Sequence, residues 1–306
     1  MVISRKRMLL SVTGIAVALA LVLTLVLILG EDESPKPGPP PDGSLRSVIA
    51  GFTSALSAEQ DHRSPKADER REAAAGFTTL LDAGRATPSD LEKLGFSVRD
   101  GVDADTGRPY TIATNESGTE RAWGLYLIDR SAPASLVIEV PHPASDLKTE
   151  LFGLDYFQRV PGAVLLIAGA HRKADDGHAD VAHEVDSVFH VVAATLAGRG
   201  MTQVQLHGFD DQNMPDDDIV LSSGMSMAGD PIRRAADRLA GGGFSVCRAW
   251  TSSCGALEGM KNVQGKAAAE EGTAFLHVEM SRTVRESGTA RADVIRALTE
   301  ADLRKP

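Results

Sequence analysis

Four side chains have the types and spacing of a hydrolytic metal centre: His142, Asp146, His207 and Glu279. A zinc ion that performs hydrolysis takes three protein ligands, usually imidazole and carboxylate, and keeps one position for water. It lowers the pKa of that water and polarises a carbonyl. A nearby carboxylate then takes the proton and hands it to the leaving amine. In PHPASDLKTE, His142 and Asp146 would form a local ligand pair, with Pro141 and Pro143 restricting the backbone around the first ligand. His207, in HGFDD, would add the distant ligand, and Glu279, in AFLHVEMSRTVR, the general base. Arg172, Arg282 or Arg285 could clamp a substrate carboxylate through paired hydrogen bonds, and His171 could face the substrate.

The elements around these residues alternate. Strands are expected at 96–98, 110–113, 125–128, Ser135–Val140, Ala163–Ala168, Thr202–Leu206, Asp218–Ser222, Phe244–Arg248 and Ala274–Met280. The later ones read as nearly continuous apolar runs, as strands buried on both faces do. Helices are expected at Ala67–Leu81, Ala144–Leu154, Val181–Ala197, Pro231–Leu239 and Ala290–Leu298, with helical periodicity also from Leu45 onward. Such alternation predicts an α/β domain whose mainly parallel sheet is covered by helices. The working site of such a sheet lies beyond the C-terminal ends of its strands. The tails of the strands ending near Val140, Ala168 and Leu206 deliver His142, His171 and His207 there, and three of eight histidines on one rim is an uncommon concentration.

Through the phrases VIEVPHP, VQLHGF and FLHVEMSRTVR, roughly residues 135–284, the chain resembles the zinc carboxypeptidase superfamily. Within it the resemblance is to the compact amidohydrolases: N-formylglutamate amidohydrolase, succinylglutamate desuccinylase and poly-γ-glutamate hydrolase. The resemblance implies a three-layer α/β/α sandwich with a mixed sheet, one zinc ion and cleavage of an amide next to a carboxylate. It matches His142 and His207 to the zinc histidines and Glu279 to the catalytic glutamate. The carboxylate ligand departs from the pattern. The family spaces His and Glu three apart, whereas Asp146 lies four from His142, and Glu150 competes for the role. The late tyrosine of the carboxypeptidases is missing, since Tyr110, Tyr126 and Tyr156 all lie early. That disfavours an exopeptidase more than an amidohydrolase.

Other motifs read as ordinary structure. His171 serves equally as a hydrogen-bonded structural histidine, and Arg172 as a salt-bridged one. His183, Asp186 and His190 would share one face of the helix expected at Val181–Ala197, but HEVDSVFH lacks the four-residue histidine spacing of a helical zinc motif. PDDDIV lacks the spaced ligands of a calcium loop. LSSGMS lacks the glycines of a nucleophile elbow, and AGGGF follows a helix instead of opening one.

A net charge of −10, with no basic patch beyond the extreme N-terminus, argues against a nucleic-acid partner. Arg5, Lys6 and Arg7 precede a run from Met8 to Leu29 free of charged residues, and Glu31, Asp32 and Glu33 follow it. This predicts one transmembrane helix in residues 1–30 with the positive end cytoplasmic, a Pro-rich spacer over 31–44, and an extracytoplasmic domain over 45–306, its first part (45–100) helical. A cleaved signal peptide, giving a secreted protein, is the alternative. In that compartment Cys247 and Cys254, the only cysteines, would pair as a disulfide. The expected function is zinc-dependent hydrolysis of an amide in a peptide-like, γ-glutamyl or acyl-amino-acid substrate. A membrane-tethered binding domain without catalysis and a metal-dependent phosphoesterase are the alternatives. The phosphoesterase would tend to need a second metal whose ligands the sequence does not supply.

Overall fold

The computed structural model describes residues 44–87 and 90–304; the expected membrane helix and most of the spacer lie outside them. No helix among the described residues is long and apolar enough to cross a membrane.

The first helices show how the core is divided. Helix α1 (Leu45–Ser54) buries Leu45, Ile49 and Phe52, spaced at i, i+4 and i+7. Helix α2 (Ala67–Ala83) buries Ala73, Phe77 and Leu80 at the same spacing. The two stripes enter different cores. The first core joins α1 to α4 (Thr149–Phe157), α6 (Asp230–Gly241) and α9 (Gly288–Ala301); the second joins α2 to α3 (Asp90–Lys93) and α5 (Val188–Gly198). Between them lies one sheet with helices on both faces. Its strands are β1 (Ser97–Val102), β2 (Pro109–Thr114), β3 (Leu125–Asp129), β4 (Leu136–Val140), β5 (Ala163–Ile167), β6 (Thr202–Phe209), β7 (Ile219–Ser222), β8 (Val246–Arg248) and β9 (Phe275–Ser281).

The strand order is β1-β2-β3-β5-β4-β6-β9-β7-β8. The centre, β5-β4-β6-β9, is parallel. The expected predominance of parallel pairing stops there. β1, β2 and β3 form an antiparallel meander that joins β5, and β7 runs against β9 before pairing parallel with β8. From β4 the chain moves to β5 on one side and later to β6 on the other, so the strand order reverses at β4. A crevice opens at such a reversal, and His142 follows β4 directly.

Side-chain alternation sorts the central strands. Val204 and Leu206 of β6 and Leu276, Val278 and Met280 of β9 enter the first core. The opposite face of the same strands carries Gln203, Gln205, His207, His277 and Glu279, all buried. Helix α7 (Val263–Glu270), which periodicity did not reveal, packs over this polar stretch through Gln264, Gly265 and Ala268.

Two helices start later than expected. Residues 143–147 make turns and α4 begins only at Thr149. Helix α5 begins at Val188, because Ser187 caps it by accepting from the His190 N–H. His183 and Asp186 therefore lie on a loop, and Val185 is exposed instead of joining the apolar stripe. Cys247 and Cys254 form a disulfide that closes the loop after β8.

Candidate metal centre

His142, Asp146 and His207 meet at the crevice beside β4. The turn after β4 is closed by the Asp146 N–H donating to the His142 carbonyl at 2.9 Å, which folds the carboxylate back over the imidazole. Asp146 Oδ2 lies 3.1 Å from His142 Nδ1 and 3.2 Å from His207 Nδ1. The Gly208 N–H adds a donor to the same oxygen at 3.3 Å. The three side chains offer ligand atoms within 4.8 Å of one another, and all three are buried.

The outward nitrogen of each imidazole is occupied. His142 Nε2 lies 2.9 Å from Asp180 Oδ1, and His207 Nε2 lies 2.7 Å from Gln205 Oε1. Carboxylate and amide oxygens accept, so with each Nε2 donating to its partner each Nδ1 is free to offer its lone pair to a cation held together with Asp146. The point where the three ligand atoms converge takes either a proton or a cation, and an imidazole–carboxylate pair behind a ligand is the usual support of a metal-bound histidine. The residues present therefore fit a metal such as zinc.

The electrostatics agree. Burial lowers the His207 pKa to about 4, against the opposing pull of Asp146, so the ring is neutral at physiological pH. Burial also disfavours charge on His142, but its hydrogen bonds to Asp146 and Asp180 outweigh this and raise its pKa. With no cation bound, a proton on His142 does part of a cation's work. Asp146 is pushed up by burial, yet the bonds from His142 and His207 hold it below the ordinary carboxylate range. Asp180 stays depressed in the same way, against burial, through His142 and His183.

Glu279 is the register partner of His207 across β6 and β9. Its Oε2 is buried without a hydrogen-bond partner. Burial first, and then the Asp146 charge, push its pKa well above the ordinary value. His207, His277 and Glu279 make a second group of converging ligand atoms that shares His207 with the first. His277 packs against His207 with ring centroids 4.5 Å apart and planes tilted by 31°, and is backed by Gly259, where a Cβ would lie 2.8 Å from the ring.

The remaining expected residues divide. Arg172 is at the site: its Nη1 lies 3.2 Å from His142 Nδ1 while Nε and Nη2 bond Asp180. His171 lies beside it, its Nε2 3.1 Å from the Ser145 hydroxyl. Glu150 opens α4 and joins no group of converging ligand atoms among the described residues. Its carboxyl is pushed up by burial and opposed by Arg285 and Arg291. Arg285 is buried and donates to the carbonyls of Met280, Leu147 and Phe209, so it ties rim segments together instead of facing a substrate. Arg282 is exposed and pairs with Glu286. Both belong to helix α8 (Arg282–Glu286), not to the end of the strand.

Sequence reading missed Asp180, Gln205 and His277. Asp180 sits in a loop 38 residues from His142 with no motif around it. Gln205 and His277 were visible only as polar residues interrupting apolar strands at the same alternation as His207 and Glu279. A cavity of about 290 Å³ is lined in part by His183, Gly259, Met260 and Lys261, of which His183 pairs with Asp180 and Gly259 lies against His277. The segment between α1 and α2 borders the rim: Gln60 accepts from the His171 N–H at 3.2 Å.

No protein-family model matches this sequence, and no curated protein matches it. Solved structures similar to it include a bacteriophage poly-gamma-glutamate hydrolase (13% identity, 58% of this chain and 86% of that one, TM-score 0.42). An N-formylglutamate amidohydrolase from Ralstonia eutropha JMP134 matches at 16% identity, over 56% of this chain and 93% of that one, with TM-score 0.40. A metallo-carboxypeptidase from Burkholderia cenocepacia matches at 14% identity, over 74% and 68%, with TM-score 0.40.

Proposed function

We propose that the chain is a zinc-dependent hydrolase that cleaves an amide bond in a peptide-like or acyl-amino-acid substrate, including γ-glutamyl compounds. The observation that carries this reading is the convergence of His142 Nδ1, Asp146 Oδ2 and His207 Nδ1, with both Nε2 atoms already held by acceptors. These residues would hold the ion, which when bound supplies Lewis acidity and a more acidic water.

The chain's own residues supply the rest. Glu279, with a raised pKa and an unpartnered oxygen, takes a proton from water at its carboxylate and delivers it to the departing amine nitrogen. Arg172, held by Asp180, directs Nη1 to the same spot and donates to the carbonyl oxygen as negative charge develops there. Arg172 is also the one expected carboxylate clamp beside the site, so recognition of a neighbouring substrate carboxylate falls to it. The cavity lined by His183, Met260 and Lys261 gives room for the rest of the substrate. Gln205 occupies His207 Nε2, which leaves Nδ1 as the one open donor. His207 then cannot serve both ligand groups at once. This favours a single ion and a free Glu279 over the two-metal centre of a phosphoesterase.

We further read Met8–Leu29 as the anchor that holds this domain outside the cytoplasmic membrane. The deciding experiment is the metal content of the full chain beside His142→Ala and His207→Ala. One zinc per chain, lost in both variants while circular dichroism is unchanged, is expected. Absence of zinc from the wild type even after it is supplied would leave a membrane-tethered binding domain as the better account.

A further inference from the structure

Gln205 sits at the centre of a buried polar chain that the hydrolytic step does not use. On the β4–β6 register it pairs with Glu139, and on the β6–β9 register with His277. Glu139, Gln205 and Gln264 are completely buried and Asn262 nearly so. Buried amides at this depth are retained only where their hydrogen bonds are made.

The two ends of the chain are backbone groups whose roles cannot reverse. Gln264 donates Nε2 to the Val181 carbonyl at 2.8 Å, and a carbonyl only accepts. Gln264 must therefore turn Oε1 toward Gln205, whose Nε2 lies 3.1 Å away. At the other end the Gly265 N–H donates to Asn262 Oδ1 at 2.9 Å, and an N–H only donates. Asn262 must therefore turn its amide nitrogen toward Gln205 Oε1, to which it donates. Glu139 Oε2 accepts from Gln205 Nε2 at 2.8 Å in the same orientation, but its carboxyl, whose pKa burial pushes up to about 8, can donate as well as accept and does not fix the amide by itself. The Gln264 and Asn262 constraints each place the Gln205 oxygen toward Asn262 and His207, and the Glu139 contact agrees with them.

We propose that Gln205, pinned by Glu139, Gln264 and Asn262, is a positioning residue that sets the tautomer of His207. Its oxygen accepts the Nε2 proton, and Nδ1 is left as a lone pair aimed at Asp146. A flipped amide would present N–H to Nε2, drive the proton to Nδ1 and block the donor. The amide chain thereby ties metal readiness of the site to fixed backbone groups at Val181 and Gly265. The proposal rests on His207 being a metal ligand, but its test is separable from that reading.

The test is imidazole 15N NMR of the full, metal-free chain labelled at histidine, with His207 assigned by its loss in His207→Gln. The expected wild-type signal is the tautomer protonated at Nε2. In Gln205→Met, which keeps the side-chain length, the proton is expected to move to Nδ1 against Asp146, with zinc affinity falling roughly 10- to 100-fold. Glu139→Gln still offers Gln205 an amide oxygen and is expected to stay close to wild type in both readouts. A wild-type His207 protonated at Nδ1 overturns the proposal without any variant. So does a folded Gln205→Met with an unmoved tautomer, whether or not zinc affinity drops. A wild type that binds no zinc but shows the Nε2 tautomer, shifted in Gln205→Met, would sink the hydrolase reading and leave this one standing.

Discussion

Glu279 and His207 face each other as direct register partners on adjacent parallel strands. The one carries an unpartnered carboxylate oxygen, and the other turns Nδ1 to Asp146. Neighbouring positions on a rigid sheet hold the proposed base and the proposed metal ligand at a fixed separation, which loops would not do.

That relationship predicts the behaviour of Glu279→Gln. The amide keeps the shape but cannot take a proton. The variant is expected to bind zinc as the wild type does while kcat falls by roughly 10²- to 10⁴-fold, the usual span for a general base. Parallel metal analysis and steady-state kinetics check this. Zinc lost together with activity would make Glu279 a ligand and move the centre to the group that includes His277.

The carboxylate ligand is decided by comparing Asp146→Asn with Glu150→Gln. Asp146 Oδ2 touches both imidazoles, while Glu150 faces Arg285 and Arg291. Asp146→Asn is expected to lose the metal, and Glu150→Gln to retain it with near-normal kinetics. Glu150→Gln removes a group whose ionisation burial already opposes, so its thermal midpoint is expected to hold or rise. Calorimetric zinc titration of both variants separates the candidates.

Much of this was legible in the sequence because the signals were local. The strands were visible as apolar runs of the right length, and His142, His207 and Glu279 as polar residues near their ends. The Asp146 assignment needed the turn that folds residue 146 over residue 142, and PHPASD reads equally as the start of a helix. Asp180 and Gln205 were hidden because a hydrogen-bond partner has no spacing rule once it comes from another element. The arginines misled for a related reason. Arg285 looks like a clamp in FLHVEMSRTVR, and only the positions of the Leu147 and Phe209 carbonyls show where its guanidinium is spent.

The arginines therefore separate by what they break. Arg285→Met leaves three buried or half-buried carbonyls short of a donor, at about 1–3 kcal/mol for each unsatisfied group. It is expected to lower the thermal midpoint, with any kinetic loss tracking the unfolded fraction. Arg172→Met frees Asp180 from its partner at a one-third exposed position. There the expected change is kinetic: kcat/KM falls at least tenfold with little change in midpoint. Should Arg172→Met bind and turn over substrate normally, Arg172 would be a salt-bridged structural residue and the substrate carboxylate would lack a partner.

Acid sensitivity should arise at the start of α2. Glu69 accepts from both terminal nitrogens of Arg63, at 2.8 and 2.9 Å, and from the Lys66 N–H at 2.7 Å, which closes the capping box of the helix. The Arg63 hydrogen bond is the main cause of a Glu69 pKa lowered from 4.5 to about 2, against an opposing contribution from burial. A carboxylate whose folded pKa is depressed stabilises the fold fully above its unfolded value and loses that contribution as pH falls to the folded one. The midpoint difference between wild type and Glu69→Gln is therefore expected to be full above about 4.5 and to shrink as pH falls toward about 2. Thermal melts across that window check it. A difference that stays constant through the window would mean that Glu69 acts through packing and not through its charge.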